Sequence, residues 1–287
     1  MLKELKELWR FRELLYSMIE RELKIRYKNS FLGFFWSLIT PLATVLVITV
    51  VFKYLVRIQV DNYSAYVLAA LLPFLFLQQA LLDSSQSVLH SIQLVRKIYF
   101  PREILPLAII VSNFVHFLLA LVVFFAYLLV IWILNPAVSP FQWTTLYLPL
   151  LLVISLAFVT GIGLIVSALN TFYEDVKYML SVGLYLIFYL SPIIYFSENV
   201  YYVDHPRREL IYTLYHLNPI AMLATAFRKI LLAPQPVQIG SGEQAMVYDP
   251  LPLDWGLLSV AAAISFASLY IGYRTFNHLK WRFVERP

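Results

Sequence analysis

Cysteine is absent from the 287 residues, so no disulfide framework, thiol nucleophile or thiolate metal site is available. Charge is scarce as well: Asp, Glu, Lys and Arg make up 14% of the chain, against about 25% in soluble domains. Apolar residues take up the difference, with 61% of the chain in the hydrophobic set, 16% aromatic, and a mean hydropathy of +0.73. A water-soluble globule of this length cannot bury so much apolar surface. Soluble enzymes, nucleic-acid binders and disordered chains are excluded together. The composition is that of an integral membrane protein.

Six stretches are long enough for the roughly 20 apolar residues that a bilayer crossing needs. They are Phe34–Phe52, Ala65–Leu82, Ile104–Leu134, Thr144–Leu169, Tyr178–Phe196 and Trp255–Tyr273, and none contains Asp, Glu, Lys or Arg. Each charge at a helix centre costs about 2.5–3.5 kcal/mol on insertion, so clean runs are a strong signal. Pro73, Pro106, Pro149 and Pro192 are expected to kink or start helices. The strict apolar–polar alternation of membrane β-strands is missing. The expected fold is an all-α integral membrane protein with six transmembrane helices.

Basic residues set the orientation. With both termini cytoplasmic, sixteen Lys and Arg lie inside and six outside, as the positive-inside rule requires. The first 30 residues are charged throughout and hold no apolar core, so a cleavable signal peptide is not expected.

Missing chemistry narrows the function. No G-x-x-x-x-G-K-[ST] loop occurs, and the GSG at Gly240–Gly242 lies in a Pro-rich external loop. No carboxylate sits inside a span, where an ion-driven carrier would need one. His116 is the one imidazole within a span; it reads as a hydrogen bond to a neighbouring helix ahead of a relay. Asp83, beside Ser84, Ser85 and Gln86, reads as a helix end at the interface. Paired carboxylates and metal-ligand spacings are absent, so no catalytic residue, metal or cofactor is expected in this chain. What remains is a conduit powered by another subunit.

Four segments carry the candidate sites. Residues 1–28 put Leu5, Leu8, Trp9, Leu15, Tyr16, Ile19 and Leu23 within about 120° of a helix circumference. This is an amphipathic interface helix, either a membrane anchor or a docking surface and collar for an anionic lipid. A short helix from about Ser91 to Phe100, stopped by Pro101, would expose Arg96, Lys97 and Arg102 beside Val95, Tyr99 and Phe100. It is either a surface-lying loop helix or an elbow inserted into a partner. On the fifth span, Tyr178, Tyr185, Tyr189 and Phe196 fall within about 20° of one line. Such a face suits sugar rings, and it is also what a packing ridge or interfacial belt looks like. Tyr185 and Tyr189 lie mid-span rather than at a membrane surface, which favours a lining face. Asn218-Pro219 should cap and start a helix running to about Leu232, tucked into the outer half of the bilayer.

The amphipathic start followed by RYKNSFLGFFWSLITPL (Arg26–Leu42), LVRKIYFPREILPL (Leu94–Leu107), LNTFYEDVKYML (Leu169–Leu180), SPIIY (Ser191–Tyr195) and YHLNPIAMLATAFRKIL (Tyr215–Leu231) resembles the permease of type 2 ABC exporters for O-antigen, capsule and teichoic acid. The resemblance covers nearly the whole chain. It implies a homodimeric permease of six spans per subunit in a bacterial or archaeal cytoplasmic membrane, working with two copies of an ABC ATPase that binds the ATP and Mg. The cargo it implies is a lipid-linked polysaccharide, with membrane lipids as surroundings and no nucleic acid involved. By the matched motifs, residues 1–30 would be the interface helix and 31–287 the permease domain. The elbow (Val95, Arg96, Lys97, Tyr99, Phe100, Arg102) would be the coupling helix seated on the ATPase. Spans one and five would line the channel, bringing in Phe34 and Trp36 with the tyrosine face. Short helices in the external segment 197–254, with Tyr195, Asn218 and Pro219, would form a gate. Arg21, Lys24, Arg26 and Lys28 would attract a lipid diphosphate, or serve topology alone. The loop before span five reads Glu174-Asp175 where many relatives carry Arg before Asp, so that pair is given no role. Rival readings are the same architecture carrying a drug, peptide or simple lipid, a membrane-embedded glycosyltransferase or polymerase, and an inert scaffold or channel.

Overall fold

A computed structural model describes residues 2–27, 35–51, 62–134, 142–234, 236–239 and 246–284. In chain order the helices are α1 (Leu2–Arg10), α2 (Arg12–Tyr27), α3 (Phe35–Thr49), α4 (Tyr63–Ser85), α5 (Ser87–His90), α6 (Ile92–Lys97), α7 (Ile104–Leu134), α8 (Leu148–Phe172), α9 (Val176–Leu190), α10 (Glu198–Tyr201), α11 (Arg208–His216), α12 (Pro219–Leu231) and α13 (Trp255–Leu279). Before α13, β1 (Val237–Ile239) and β2 (Met246–Tyr248) pair antiparallel with Gln238 opposite Val247, two short strands within the segment that the sequence predicts as an external loop.

Four of these helices are long and apolar enough to cross a membrane: α4, α7, α8 with its preceding turn, and α13. A fifth crossing is available if α11 and α12, bent by 96° at His216–Pro219, count as one broken span. The expected fifth span is shorter as a helix, 15 residues in α9, and the expected first span is described as the 15-residue α3. Residues 28–34 and 52–61, which flank α3, lie outside the described residues. Helix α9 stops at Leu190 because Pro192 has no N–H to continue the ladder; Ser191 is already extended.

Helix α4 is the axis of the bundle, packed by α3, α7, α8, α9 and α12. Its sequence is apolar on every side, as a helix surrounded by others requires. The closest pair is α8 with α13, where Gly161 and Gly272 meet backbone to backbone. A Cβ at either position would collide with the opposite main chain, so small residues set this crossing. Helices α7 and α13 keep most of their surface outward.

One end of the bundle carries both described termini. There Phe11, Leu14 and Leu15 of the amino-terminal helices pack on a cluster built from Met18, Val95, Phe100, Phe276 and Phe283. The expected apolar stripe is therefore rotated by about a quarter turn. Trp9 and Tyr16 are 71% and 73% exposed, and the inward positions are Leu8, Phe11, Leu14, Leu15, Met18 and, as expected, Ile19. Aromatic rings with a polar edge gain by staying at the interface, whereas Phe11 and Met18 carry no polar group to satisfy.

Candidate functional site

The elbow between α4 and α7 is shorter in helix than its sequence suggests. Helix α6 ends at Lys97, and Ile98 is extended (φ −132°, ψ 139°) rather than helical to Phe100. Phe100 turns inward instead and is buried in the terminal-end cluster together with Val95. Those two residues anchor the elbow and cannot form the outward surface expected of them. The outward residues are Arg96, Lys97, Ile98 and Tyr99. The Tyr99 hydroxyl donates to Glu7 Oε1 at 2.9 Å, and the neighbouring carboxylate raises the phenol pKa. Arg102 donates to the Lys280 carbonyl, while the Lys280 ammonium pairs with buried Glu103 at 3.2 Å. Elbow, α1 and carboxyl-terminal turn thus enclose a cavity of about 290 Å³ rimmed by Glu7, Lys97, Tyr99 and Trp281.

The basic collar is paired with acids. Arg21 reaches Glu22 at 2.7 Å and Lys24 reaches Glu20 at 2.5 Å. Arg26 spans from α2 to Asp83 of α4 at 2.8 Å and to Asn113 Oδ1 of α7 at 3.0 Å. Asn113 Nδ2 in turn donates to Asp83 at 3.1 Å. Asp83 is therefore more than a helix end: it ties the amino-terminal helix to two spans. Lys28 lies outside the described residues.

The aromatic face of α9 is open. Within α9 Leu184 alone is buried, while Tyr178 is exposed and Tyr185 and Tyr189 are 60% and 54% exposed. Their rings form a T-shaped pair with centroids 5.1 Å apart. Phe196 does not share this face. The chain leaves helix at Ser191, and Phe196 is buried against the Tyr66 ring, 4.2 Å between centroids. On α3, Ile39, Leu42, Leu46 and Val47 are exposed, an aliphatic face that Val50 continues just beyond it. Phe34 lies outside the described residues, and so does the side chain of Trp36.

At the opposite end, Asn218 Oδ1 accepts from the Ile220 N–H at 3.1 Å, and Pro219 begins α12 as expected. Tyr195 shares a 2.7 Å hydrogen bond with the Tyr215 hydroxyl. The central group here is one that sequence reasoning missed. Arg228, counted as an external loop base, is 4% exposed. Its guanidinium donates to the Tyr66 carbonyl (3.0 Å), the Tyr66 hydroxyl (3.1 Å), the Tyr195 carbonyl (3.0 Å) and the Ile193 carbonyl. Next to it Lys229 pairs with buried Glu198 at 3.2 Å. A base pair inside the otherwise uncharged run IAMLATAFRKILL was the available signal.

Among the described residues no group of three His, Cys, Asp or Glu side chains converges as a metal site would. Long apolar helices, an elbow held on the terminal face and an open aromatic helix make this a multi-pass membrane protein. The comparisons agree. The family model described as ABC-2 type transporter matches residues 13–232, and the chain belongs to that family. It is similar to an O-antigen export system permease protein RfbA of Klebsiella pneumoniae, 28% identical over 273 residues, covering 95% of this chain and 94% of the relative. It is similar also to an RfbA of Myxococcus xanthus, 27% identical over 286 residues and 99% of both chains. The protein is the membrane permease component of an ABC exporter, and in this family the ATPase is a separate subunit.

Proposed function

We propose that two copies of this chain form the conduit through which a separate ATPase drives a lipid-linked polysaccharide of the O-antigen, capsule or teichoic-acid type out of the cytoplasm. The observation that carries this reading is the bare tyrosine face of α9. Its rings stack on the C–H faces of sugars while their hydroxyls bond sugar hydroxyls. The aliphatic face of α3 suits the lipid carrier. In this reading spans one (residues 34–52) and five (178–196) complete a six-span layout with the terminal face in the cytoplasm. The second copy covers α3 and α9, and the polymer passes along the seam.

Two ATPase subunits, which bind ATP and Mg, seat on Ile98, Tyr99 and the neighbouring bases. Residues 1–30 serve as the interface helix and 31–287 as the permease domain. Tyr195, Asn218 and Pro219 belong to an outer gate. In the collar Arg21 and Lys24 stay the more exposed bases, whereas the pairing of Arg26 with Asp83 weakens a direct lipid-diphosphate role for that residue.

A simple lipid cargo would use the aliphatic α3 face alone and have no need of Tyr185 and Tyr189. Purification with the ATPase, followed by mass analysis of bound glycolipid, tests the reading. A retained lipid-linked glycan supports it, and a complex that retains ordinary lipids while exporting no polymer refutes it.

A further inference from the structure

A cavity of about 350 Å³ lies at the end of the bundle away from the termini, between the start of α4, the end of α7, α12 and the Pro250–Leu253 segment. That volume is at the small-ligand scale of about 300–1,000 Å³. Three described charges line it, Arg228, Lys229 and Glu198, so the wall carries one excess positive charge. Arg228 gives four of its five N–H groups to protein acceptors. Among the described residues, Lys229 gives two of its three N–H groups to Glu198 and to the Pro252 carbonyl, at 3.2 and 3.3 Å, and keeps one. Leu128 and Ile131 of α7 add apolar surface to the lining.

Depth identifies the occupant. Trp132, Trp143, Tyr147 and Trp255 cluster at the same ends of α7, α8 and α13, with Tyr147 and Trp255 in contact at 4.8 Å between centroids. Such rings mark the headgroup level of a bilayer. A site at that level with one excess positive charge and aliphatic side chains in the same lining matches an amphiphile bearing a single negative charge.

We propose that this cavity binds the phosphodiester headgroup of a phospholipid from the adjoining leaflet, with the first acyl segment along Leu128 and Ile131. The site does not depend on which cargo the exporter carries.

The test uses the full chain with its ATPase in nanodiscs of phosphatidylethanolamine and phosphatidylglycerol, with benzoylphenylalanine replacing Trp132 as a photocrosslinker. Benzoylphenylalanine at Leu134, an exposed residue of the same helix end, reports bulk lipid. The proposal expects a phospholipid adduct at Trp132 that falls by about tenfold in Lys229→Glu and in Leu253→Trp, which fills the cavity without changing charge. The Leu134 adduct stays constant. Should Lys229→Glu fail to assemble, Leu253→Trp and the unsubstituted cavity still decide. Replacing part of the phospholipid by diacylglycerol must leave the adduct phosphate-bearing. Adducts that follow Leu134 in every variant, that form equally with diacylglycerol, or that vanish on adding inorganic phosphate alone would each overturn the assignment.

Discussion

The Arg228 guanidinium lies 3.9 Å from the centroid of the Tyr66 ring while hydrogen-bonding that residue's carbonyl and hydroxyl. This contact fastens the capped helix α12 to the start of α4. It reaches onward to the Ile193 and Tyr195 carbonyls, where the chain has just left α9. The aromatic face and the outer segment therefore share one cationic clamp. Helix α11, with only Tyr212 and His216 buried, is held less firmly and is the part of the proposed outer gate expected to move.

Arg228→Met is expected to lower stability by about 3 kcal/mol, because several buried acceptors lose their donor at once. Arg228→Lys, which cannot fork to the same acceptors, should recover only part of the loss. Thermal unfolding of the purified chain checks both values. A change within about 0.5 kcal/mol in the Met variant would contradict the clamp.

Arg26 and Asp83 are each about one-third exposed, so their coupling should be modest, at most about 1 kcal/mol. Asp83→Asn and Arg26→Gln should each loosen the amino-terminal helix, and the double variant should cost less than their sum. Protease protection of residues 2–27 measures this, and strict additivity would show that the pair is uncoupled.

Tyr185→Ala with Tyr189→Ala should leave folding nearly unchanged, within about 0.5 kcal/mol, since both rings are more than half exposed. Polymer export should fall sharply while ATPase pairing persists. Normal export in cells carrying the double variant would remove α9 from the conduit.

The elbow allows a separation of roles. Ile98→Ser with Tyr99→Ser should weaken copurification of the ATPase and leave the fold intact. Phe100→Ser should instead destabilise the chain itself, since Phe100 is buried among Val95, Ile104 and Phe276. The Tyr99 phenol is held above its ordinary value of about 10. Its bond to Glu7 is thus intact at neutral pH and is lost only as alkali passes the raised value. ATPase pairing that weakens between pH 6 and 8 would need another cause.

Much of this was legible before any coordinates. Uncharged runs announced α4, α7, α8 and α13 because lipid tolerates few charges, and Asn218-Pro219 announced α12 because its capping chemistry is local. The misses share one cause: facing is decided by tertiary partners. Helical spacing aligned Phe196 with Tyr189, but Pro192 broke the register between them. Spacing also put Trp9 and Tyr16 inward, where the groove on the bundle selected Phe11 and Met18 instead. The partners of Arg26 and Arg228 lie far away in sequence, 57 residues for Asp83 and 162 for Tyr66, and a linear reading offers no pairing rule at that range.

The central claim, that this chain is a passive conduit driven by a separate motor, is tested most directly in proteoliposomes. They would hold the chain alone or with its ATPase and be supplied with lipid-linked polysaccharide and ATP. Appearance of polymer on the opposite side only when both subunits and ATP are present is the predicted result. Polymer movement by the chain alone, or ATP-driven movement undiminished by the double tyrosine variant, would contradict the account.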